Sequence, residues 1–288
     1  MTAADTDPGN ARFRRHAAEG ILLLGGGAAI LLQLADPRVA RGVARHSDFA
    51  GRPLDRLFGT LDYVYAVGFG DEAVRRAAVR RVNARHAPVR GDAADSADVD
   101  ADADEAGDAR TARYSAFDAD AQRWVASTLL ATALAVEERL WGPLGEREAD
   151  AIVRGYAPLG GSLQAGREGW PQSRAEFESW WRARLAALDV GDDARGVART
   201  LLGGSAALPP GTRLLLPLAR LSTAALLPAP IRAAYGFRWT PRVQRVSAAW
   251  LHGIAIVWPL LPRVVRHAPM RGSLRRARLR NRYAEREA

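Results

Sequence analysis

The chain has 288 residues, 48% of them hydrophobic and 25% charged, an ordinary composition for a globular protein with a sizeable core. It has no cysteine, which excludes disulfides, iron–sulfur clusters and thiolate-ligated metals. Its 41 basic residues, all of them arginine, give a formal net charge of +9, but without zinc-finger spacing, an RRM aromatic motif or a basic zipper we expect no nucleic-acid partner.

The N-terminal segment Met1–Asn10 is polar and acidic and lacks the basic-then-apolar order of a signal peptide, so we expect a flexible tail over residues 1–15 and a cytoplasmic protein. The longest apolar run, Ile21–Leu34, is shorter than the roughly 20 residues that span a bilayer. It contains Gly25-Gly26-Gly27, which does not follow a strand of a βαβ unit, so a dinucleotide-binding loop is not indicated. These glycines instead favour close packing of a helix against a neighbour or a flat ligand.

The fold class follows from the spacing of the apolar residues. Alternating strand patterns are almost absent, whereas Ala, Leu, Arg and Glu recur at helical spacing. Several helix starts carry a recognisable N-cap: Asp71, Asp118, Ser173 with Glu176 in a capping box, and Thr240 before Pro241. We therefore predict an all-α protein, with a single large bundle-like domain of roughly ten helices over residues 16–270.

The segment Asp92–Arg110 holds eight acidic residues and one arginine in Asp/Ala repeats. It cannot bury enough apolar surface to offset the entropy lost on ordering, so we predict a disordered acidic insertion in the domain. An acidic interaction arm is the functional alternative.

The C-terminal part differs again, because the apolar run Val246–Leu261 is followed by many arginines. We predict a basic C-terminal helix or tail over residues 271–288. The apolar run and its basic neighbour fit a core helix with a solvated terminal helix, or peripheral contact with an anionic membrane surface.

The residues that could carry chemistry are few, since the sequence has no G-x-S-x-G elbow, Walker loop, H-E-x-x-H or paired-carboxylate helix. In a chain without cysteine, histidine is the most plausible metal ligand, and there are five candidates: His16, His46, His86, His252 and His267. Arg56 and Thr60 share a helix face, where they could neutralise an acidic group and donate a hydrogen bond. By spacing alone, such an arginine usually faces solvent, and a lone histidine is more often a surface or core residue than a ligand.

Several short segments, in order from about residue 18 to about residue 265, resemble the MpaB-type oxygenase superfamily, whose members include the latex-clearing rubber oxygenases. The segments are Gly25-Gly26-Gly27-Ala28, Leu31-Leu32-Gln33-Leu34-Ala35, His46-Ser47-Asp48-Phe49, Pro53-Leu54-x-Arg56-Leu57-x-x-Thr60-Leu61-Asp62-Tyr63-Val64, His86-x-x-Val89-x-Gly91, Tyr114-Ser115-Ala116-x-Asp118, Trp124-Val125-x-x-Thr128-Leu129, Glu138-Arg139, Gly142-Pro143-Leu144, Leu226-Leu227-Pro228, Tyr235-Gly236 and Trp239-Thr240-Pro241. Each is short, and it is their common order that makes the resemblance specific.

The resemblance implies a largely helical fold that encloses one b-type haem, with His86 as the proximal iron ligand. It places Arg56 and Thr60 next to the haem, as cofactor-binding and catalytic residues. The implied function is a haem b-dependent oxygenase that acts with dioxygen on a hydrophobic substrate, such as an isoprenoid or another alkene. Two alternatives stay open: a non-catalytic haem-binding protein, and a peripheral-membrane helical protein without a cofactor.

Three positions depart from the patterns of this superfamily. Asp36 replaces the histidine of an Ala-His-Pro segment, and Ala126 replaces the histidine of W-V-H-x-T-L. Gly59 replaces the lysine that the rubber-cleaving branch places between its arginine and threonine as a resting distal ligand. We therefore expect an open or water-ligated distal position, and either a different substrate or a weakened site.

Overall fold

The computed structural model describes residues 8–46, 53–91, 113–203 and 210–287. The predicted all-α class is confirmed, since this part of the chain is almost entirely helical. The α-helices are α1 Pro8–Ala17, α2 Gly26–Leu34, α3 Pro37–His46, α4 Pro53–Phe69, α5 Glu72–His86, α6 Ala119–Trp141, α7 Glu146–Gly161, α8 Arg174–Ala186, α9 Asp192–Gly203, α10 Pro210–Arg213, α11 Leu216–Leu226, α12 Ala229–Ala234, α13 Pro241–Val257, α14 Arg263–Arg266 and α15 Ala268–Glu287. Two 3-10 helices, Gly20–Gly25 and Trp258–Leu260, complete the helical elements.

The predicted N-caps are present and explain where four of the longer helices begin. Asp71 accepts a hydrogen bond from Val74 N at 2.9 Å, and Asp118 accepts one from Ala121 N at 2.8 Å. Ser173 and Thr240 cap α8 and α13 in the same way. Each side-chain oxygen satisfies a backbone N–H that has no partner within its own helix.

The helix α6 forms the centre of the fold and carries the fully buried Trp124. The Trp124 ring stacks on Trp181 of α8 with a centroid distance of 5.0 Å, and its indole N–H donates to Leu32 O of α2 at 3.1 Å. One apolar cluster lies towards α2, α9, α11 and α13, and another towards α1, α4 and α7. The aromatic ring and its hydrogen bond together fix α2 and α8 against α6.

The glycine run lies at the start of α2 and packs against a neighbouring helix. A Cβ atom at Gly27 would lie 2.1 Å from Thr223 Oγ1 of α11, and one at Gly25 would lie 3.2 Å from Thr132 Cβ of α6. A larger side chain at Gly27 would separate α2 from α11. Of the two uses predicted for these glycines, the structure shows close helix packing.

A short antiparallel bridge holds the chain directly after α5. Strands β1 (Arg90–Gly91) and β2 (Tyr114–Ser115) pair Arg90 with Ser115 and Gly91 with Tyr114. A Cβ at Gly91 would lie 2.6 Å from the Tyr114 ring, so only glycine allows this ring to cover the bridge. The predicted acidic insertion 92–110 lies outside the described residues.

The ends of the described chain pack onto its middle. The predicted boundary between residues 15 and 16 falls inside α1, where Phe13 is buried against Tyr156 of α7 with ring centroids 5.6 Å apart.

The basic helix α15 packs along α4 and contacts α5. Asp62 of α4 is buried and pairs with Arg276 at 2.9 Å and with Arg280 at 2.7 Å, so α15 is held by charge as well as by apolar contact.

In the described residues, no single helix is long and apolar enough to cross a membrane. One pair of segments, Ala11–Ala17 and Gly20–Leu34, passes the same test together, but the two are bent by 60°.

Candidate active site

The helices α4 and α5 are antiparallel neighbours joined by a tight connection. A Cβ at Gly70 would lie 2.5 Å from Ala66 O, so the chain can turn closely there, and Asp71 then starts α5. This return brings the end of α5, with His86, back to the beginning of α4, with Arg56. The two residues are close enough for the Arg56 charge to act on the imidazole.

His86 is half-buried, and its Nδ1 atom is buried with no hydrogen-bond partner among the described residues. The ring meets Phe117 edge-on, with centroids 6.4 Å apart. Burial lowers the pKa of His86 below its ordinary value, and the positive charge of Arg56 lowers it further. The imidazole is therefore neutral near pH 7 and carries a lone pair, which is the state that binds a metal.

Arg56 is half-buried at the start of α4, and burial lowers the pKa of its guanidinium. An arginine remains charged in proteins even so, because its ordinary pKa is very high. The Thr60 hydroxyl donates to Arg56 O within the same helix at 3.0 Å, and its side chain is exposed. Of the three predicted site residues, the structure thus brings Arg56 and His86 together, whereas the Thr60 hydroxyl bonds to its own helix.

The space between α4 and α5 is small. A cavity of about 10 Å³ lies there, lined by Gly59, Asp62, Tyr63, Ala78, Arg81, Val82, Arg85 and Arg280. Ligand pockets usually measure several hundred cubic ångströms, so this cavity, whose lining does not include Arg56 or His86, is too small for a haem. His86 offers an unpartnered nitrogen and Arg56 a cation, and these groups fit a haem, whereas the cavity between α4 and α5 is too small to hold one.

The position of Gly59 is next to a cation from the other helix. A Cβ at Gly59 would lie 2.7 Å from a terminal nitrogen of Arg85, the residue before His86. The space that a side chain at position 59 would use is thus taken by the Arg85 guanidinium. The open or water-ligated distal position expected from the sequence stays a prediction.

Asp36 is buried and belongs to an ion-pair network that extends to the surface. Its carboxylate pairs with Arg38 and with Arg184 of α8, both at 2.8 Å, and Asp120 accepts from the same two arginines. Burial alone would raise the pKa of Asp36, but its hydrogen bonds to Arg38 and the charges of Arg38 and Arg184 lower it. The aspartate at this position, where the family pattern has a histidine, therefore has its charge neutralised by arginines in a network that joins α3, α6 and α8.

Ala126 is buried where α6 meets α7, and a Cβ at Gly160 would lie 3.5 Å from the Ala126 Cβ, in ordinary van der Waals contact. One turn earlier on α6, the side-chain amide of Gln122 donates to Gln164 Oε1 at 2.5 Å, and Gln164 donates to Asn83 Oδ1 at 3.2 Å. Asn83 lies one turn before His86 on α5. This chain of amides was not predicted, and the only sequence signal was the three-residue spacing of Asn83 and His86.

Three of the other four histidines have a ring nitrogen within hydrogen-bond distance of a side-chain oxygen, and the fourth is exposed. His46 Nε2 lies 2.9 Å from the Tyr114 hydroxyl, His267 Nε2 lies 3.2 Å from Glu19, and His252 is exposed. His16 is buried, with Nδ1 2.7 Å from Glu137 Oε1, and its Nε2 has no hydrogen-bond partner among the described residues. His16 is thus the second histidine with an unpartnered buried nitrogen. No group of three or more His, Asp or Glu residues that could hold a metal ion occurs in the described part of the chain.

Comparison with known proteins agrees with the sequence resemblance. Residues 13–258 match the family described as ER-bound oxygenase mpaB/B'/Rubber oxygenase, catalytic domain. The chain belongs to this family. It is similar to an uncharacterized protein of Mycobacterium bovis and to one of Mycobacterium tuberculosis, each 29% identical over 227 residues, which cover 76% of this chain and 81% of the relative. No solved structure matches.

The match includes α4, α5 and the bridge after them, so the region around Arg56 and His86 lies inside the catalytic domain of an oxygenase family. The predicted superfamily is confirmed, and with it the coarse assignment as an oxygenase.

Proposed function

We propose that this oxygenase is haem b-dependent, that His86 is its proximal iron ligand, and that it acts with dioxygen on a hydrophobic substrate such as an isoprenoid or another alkene. The observation that carries the proposal is the His86 imidazole, which is neutral, half-buried and unpartnered at a buried ring nitrogen, next to the cation of Arg56. An unpartnered polar atom costs free energy in a folded protein, and a ligand that takes its lone pair removes this cost.

Three residues would have separate roles at the cofactor. His86 would bind the iron, and Arg56 would offset the negative charge of a haem propionate or orient dioxygen. Thr60, one turn along α4, would give up its bond to Arg56 O to donate a hydrogen bond from the same helix face. When bound, haem b supplies an iron centre at which dioxygen is activated, a chemistry that amino-acid side chains lack.

A hydrophobic substrate is consistent with the side chains between α4 and α5. Ala78 and Val82 are apolar, and the Tyr63 ring lies beside them while its hydroxyl donates to Leu159 O on α7. Because this hydroxyl already has a hydrogen-bond partner, Tyr63 contributes mainly its apolar ring to the lining of the cavity. If α4 and α5 separated, Ala78, Val82 and the Tyr63 ring would form the apolar part of a lining that also contains Asp62, Arg81, Arg85 and Arg280.

Haem titration into the purified protein, followed by oxygen uptake, tests the proposal. We expect a Soret band to develop at one equivalent of haem b, and the reduced protein to consume oxygen when an apolar alkene is added. Haem binding without alkene-dependent oxygen uptake would favour the non-catalytic haem-binding alternative. Absence of any Soret band at saturating haem would contradict the proposal as a whole.

A further inference from the structure

The second half of α13, from Ala248 to Val257, is apolar on the side that faces the core and mostly apolar on the side that faces solvent, where His252 is also exposed. Leu251 is buried, and Trp250 and Ile254 pack against the main apolar cluster. On the opposite side, Ile256 and Val257 are each 55% exposed. A surface helix usually has a polar outer side, and a helix that is apolar all round is usually covered on both sides.

The exposed apolar side continues beyond α13 into the 3-10 helix and α14. We call it the apolar ridge and define it by six residues that are 51% to 77% exposed: Val246, Ile256, Val257, Leu260, Val264 and Val265. Single exposed apolar residues are common, but six large ones within the twenty residues from Val246 to Val265 favour a contact surface.

The ridge is held in place by contacts on its inner side. Glu19 accepts a hydrogen bond from the Trp258 indole at 2.9 Å and lies 3.2 Å from His267 Nε2 and 3.3 Å from a terminal nitrogen of Arg266. A Cβ at Gly20 would lie 2.7 Å from Arg266 O, so the backbone after α14 packs directly on the beginning of the 3-10 helix Gly20–Gly25. The chain on both sides of Leu260 is therefore anchored, and the outward direction of the ridge is part of the fold.

The charged residues that flank the ridge along the chain have one sign. From Ala194 to Ala284 the sequence contains sixteen arginines and no aspartate or glutamate, although the whole chain has 32 acidic residues. Arg242 and Arg245 are exposed in the first turns of α13, and Arg263 is exposed at the start of α14. The preference for arginine over lysine extends over the whole chain, but it does not explain why acidic residues are missing here.

From the apolar ridge and these flanking arginines we infer a docking surface for an anionic lipid bilayer, on which the protein lies peripherally. Apolar side chains would enter the boundary between headgroups and acyl chains, and the arginines would contact anionic headgroups. A second copy of the chain fits less well, because a self-complementary contact would bring two arginine-flanked surfaces of like charge together. The inference does not depend on haem or on the proposed reaction.

Vesicle co-sedimentation of the full-length protein tests this surface. We expect binding to vesicles made of equal parts of phosphatidylcholine and phosphatidylglycerol, weak binding to phosphatidylcholine alone, and a decrease in binding as salt is raised. Leu260→Ser/Val264→Ser should weaken binding to the anionic vesicles by at least about tenfold, since two side chains lose an apolar environment. Arg242→Gln/Arg245→Gln should weaken it by roughly fivefold for each charge removed.

Leu214→Ser is the matched control, because Leu214 is 81% exposed but lies just before α11, outside the ridge. It should bind vesicles like wild type. Circular dichroism of each variant checks the fold, and Ile256→Ser/Val265→Ser repeats the test if the first double variant does not fold. The inference is overturned by equal binding to neutral and anionic vesicles, by ridge variants that bind like Leu214→Ser, or by a stable dimer in light scattering that the ridge variants dissociate.

Discussion

His16 and His86 both have a buried ring nitrogen without a hydrogen-bond partner, yet their surroundings differ. His16 is 6% exposed, with its other nitrogen at the Glu137 carboxylate and the Tyr156 ring 6.3 Å away. His86 is half-buried at the end of a helix, next to the positive charge of Arg56. A metal-bound histidine often donates its second N–H to a carboxylate, so His16 has suitable chemistry in a closed place, whereas the His86 side chain is partly exposed although its Nδ1 is buried. The exposure of the whole side chain, more than the chemistry of the ring, separates the two histidines.

The largest effect on stability is expected at His16. His16→Ala leaves the Glu137 carboxylate without its partner and removes a buried ring, so the free energy of unfolding should fall by about 2–3 kcal/mol. Urea denaturation measures it. His16→Asn is the control, because its amide can still donate to Glu137, and it should recover more than half of the loss. If His16→Ala were as stable as wild type, the view of His16 as a structural residue would be wrong.

A smaller effect is expected at the bridge after α5. In Gly91→Ala the new methyl group would collide with the Tyr114 ring, where the contact distance would be 2.6 Å, so we expect a loss of about 1–2 kcal/mol in the free energy of unfolding. In Gly42→Ala on α3 the new methyl group would lie 3.3 Å from Val89 Cγ1 and 3.5 Å from the same ring, so this variant should cost less. Thermal unfolding of the two variants compares them, and equal losses would show that the bridge does not need glycine at position 91.

The smallest effect is expected in the pH dependence of the stability of the cofactor-free protein. Because the pKa of His86 is lowered in the folded state, the unfolded chain takes up a proton at a higher pH than the folded chain does. The free energy of unfolding should therefore decrease as the pH falls from 6.5, the ordinary histidine value, towards the lowered pKa. His86→Ala should remove this part of the acid sensitivity and change stability little at neutral pH. An unchanged pH profile in the variant would mean that His86 is not shielded as the structure indicates.

The parts of the fold that sequence reasoning could predict depend on local signals. The N-caps Asp71 and Asp118 act on backbone groups three residues away, so the sequence alone marks those helix starts. The short helices α10 and α14 have four residues each, which is too few for an apolar period to be visible.

The parts that could not be predicted depend on distant partners. Asp36 appeared in the sequence only as a departure from a family pattern, and its partner Arg184 is 148 residues away. The amides of Gln122 and Gln164 are 42 residues apart and meet only once α6 and α7 have packed. The family resemblance assigned Arg56 and His86 to one haem site, whereas spacing alone did not single out either residue.

Haem titration into wild type, His86→Ala and His16→Asn is the most direct test of the central claim. We expect wild type and His16→Asn to give the same Soret band and to bind haem with affinities within a few-fold of each other. His86→Ala should lose more than about 100-fold in haem affinity, which exceeds the usual loss when a residue that only supports a metal ligand is removed. Added imidazole should restore the band in His86→Gly, because it can occupy the space that the side chain leaves. A normal Soret band in His86→Ala together with its loss in His16→Asn would contradict the assignment and place the iron at His16.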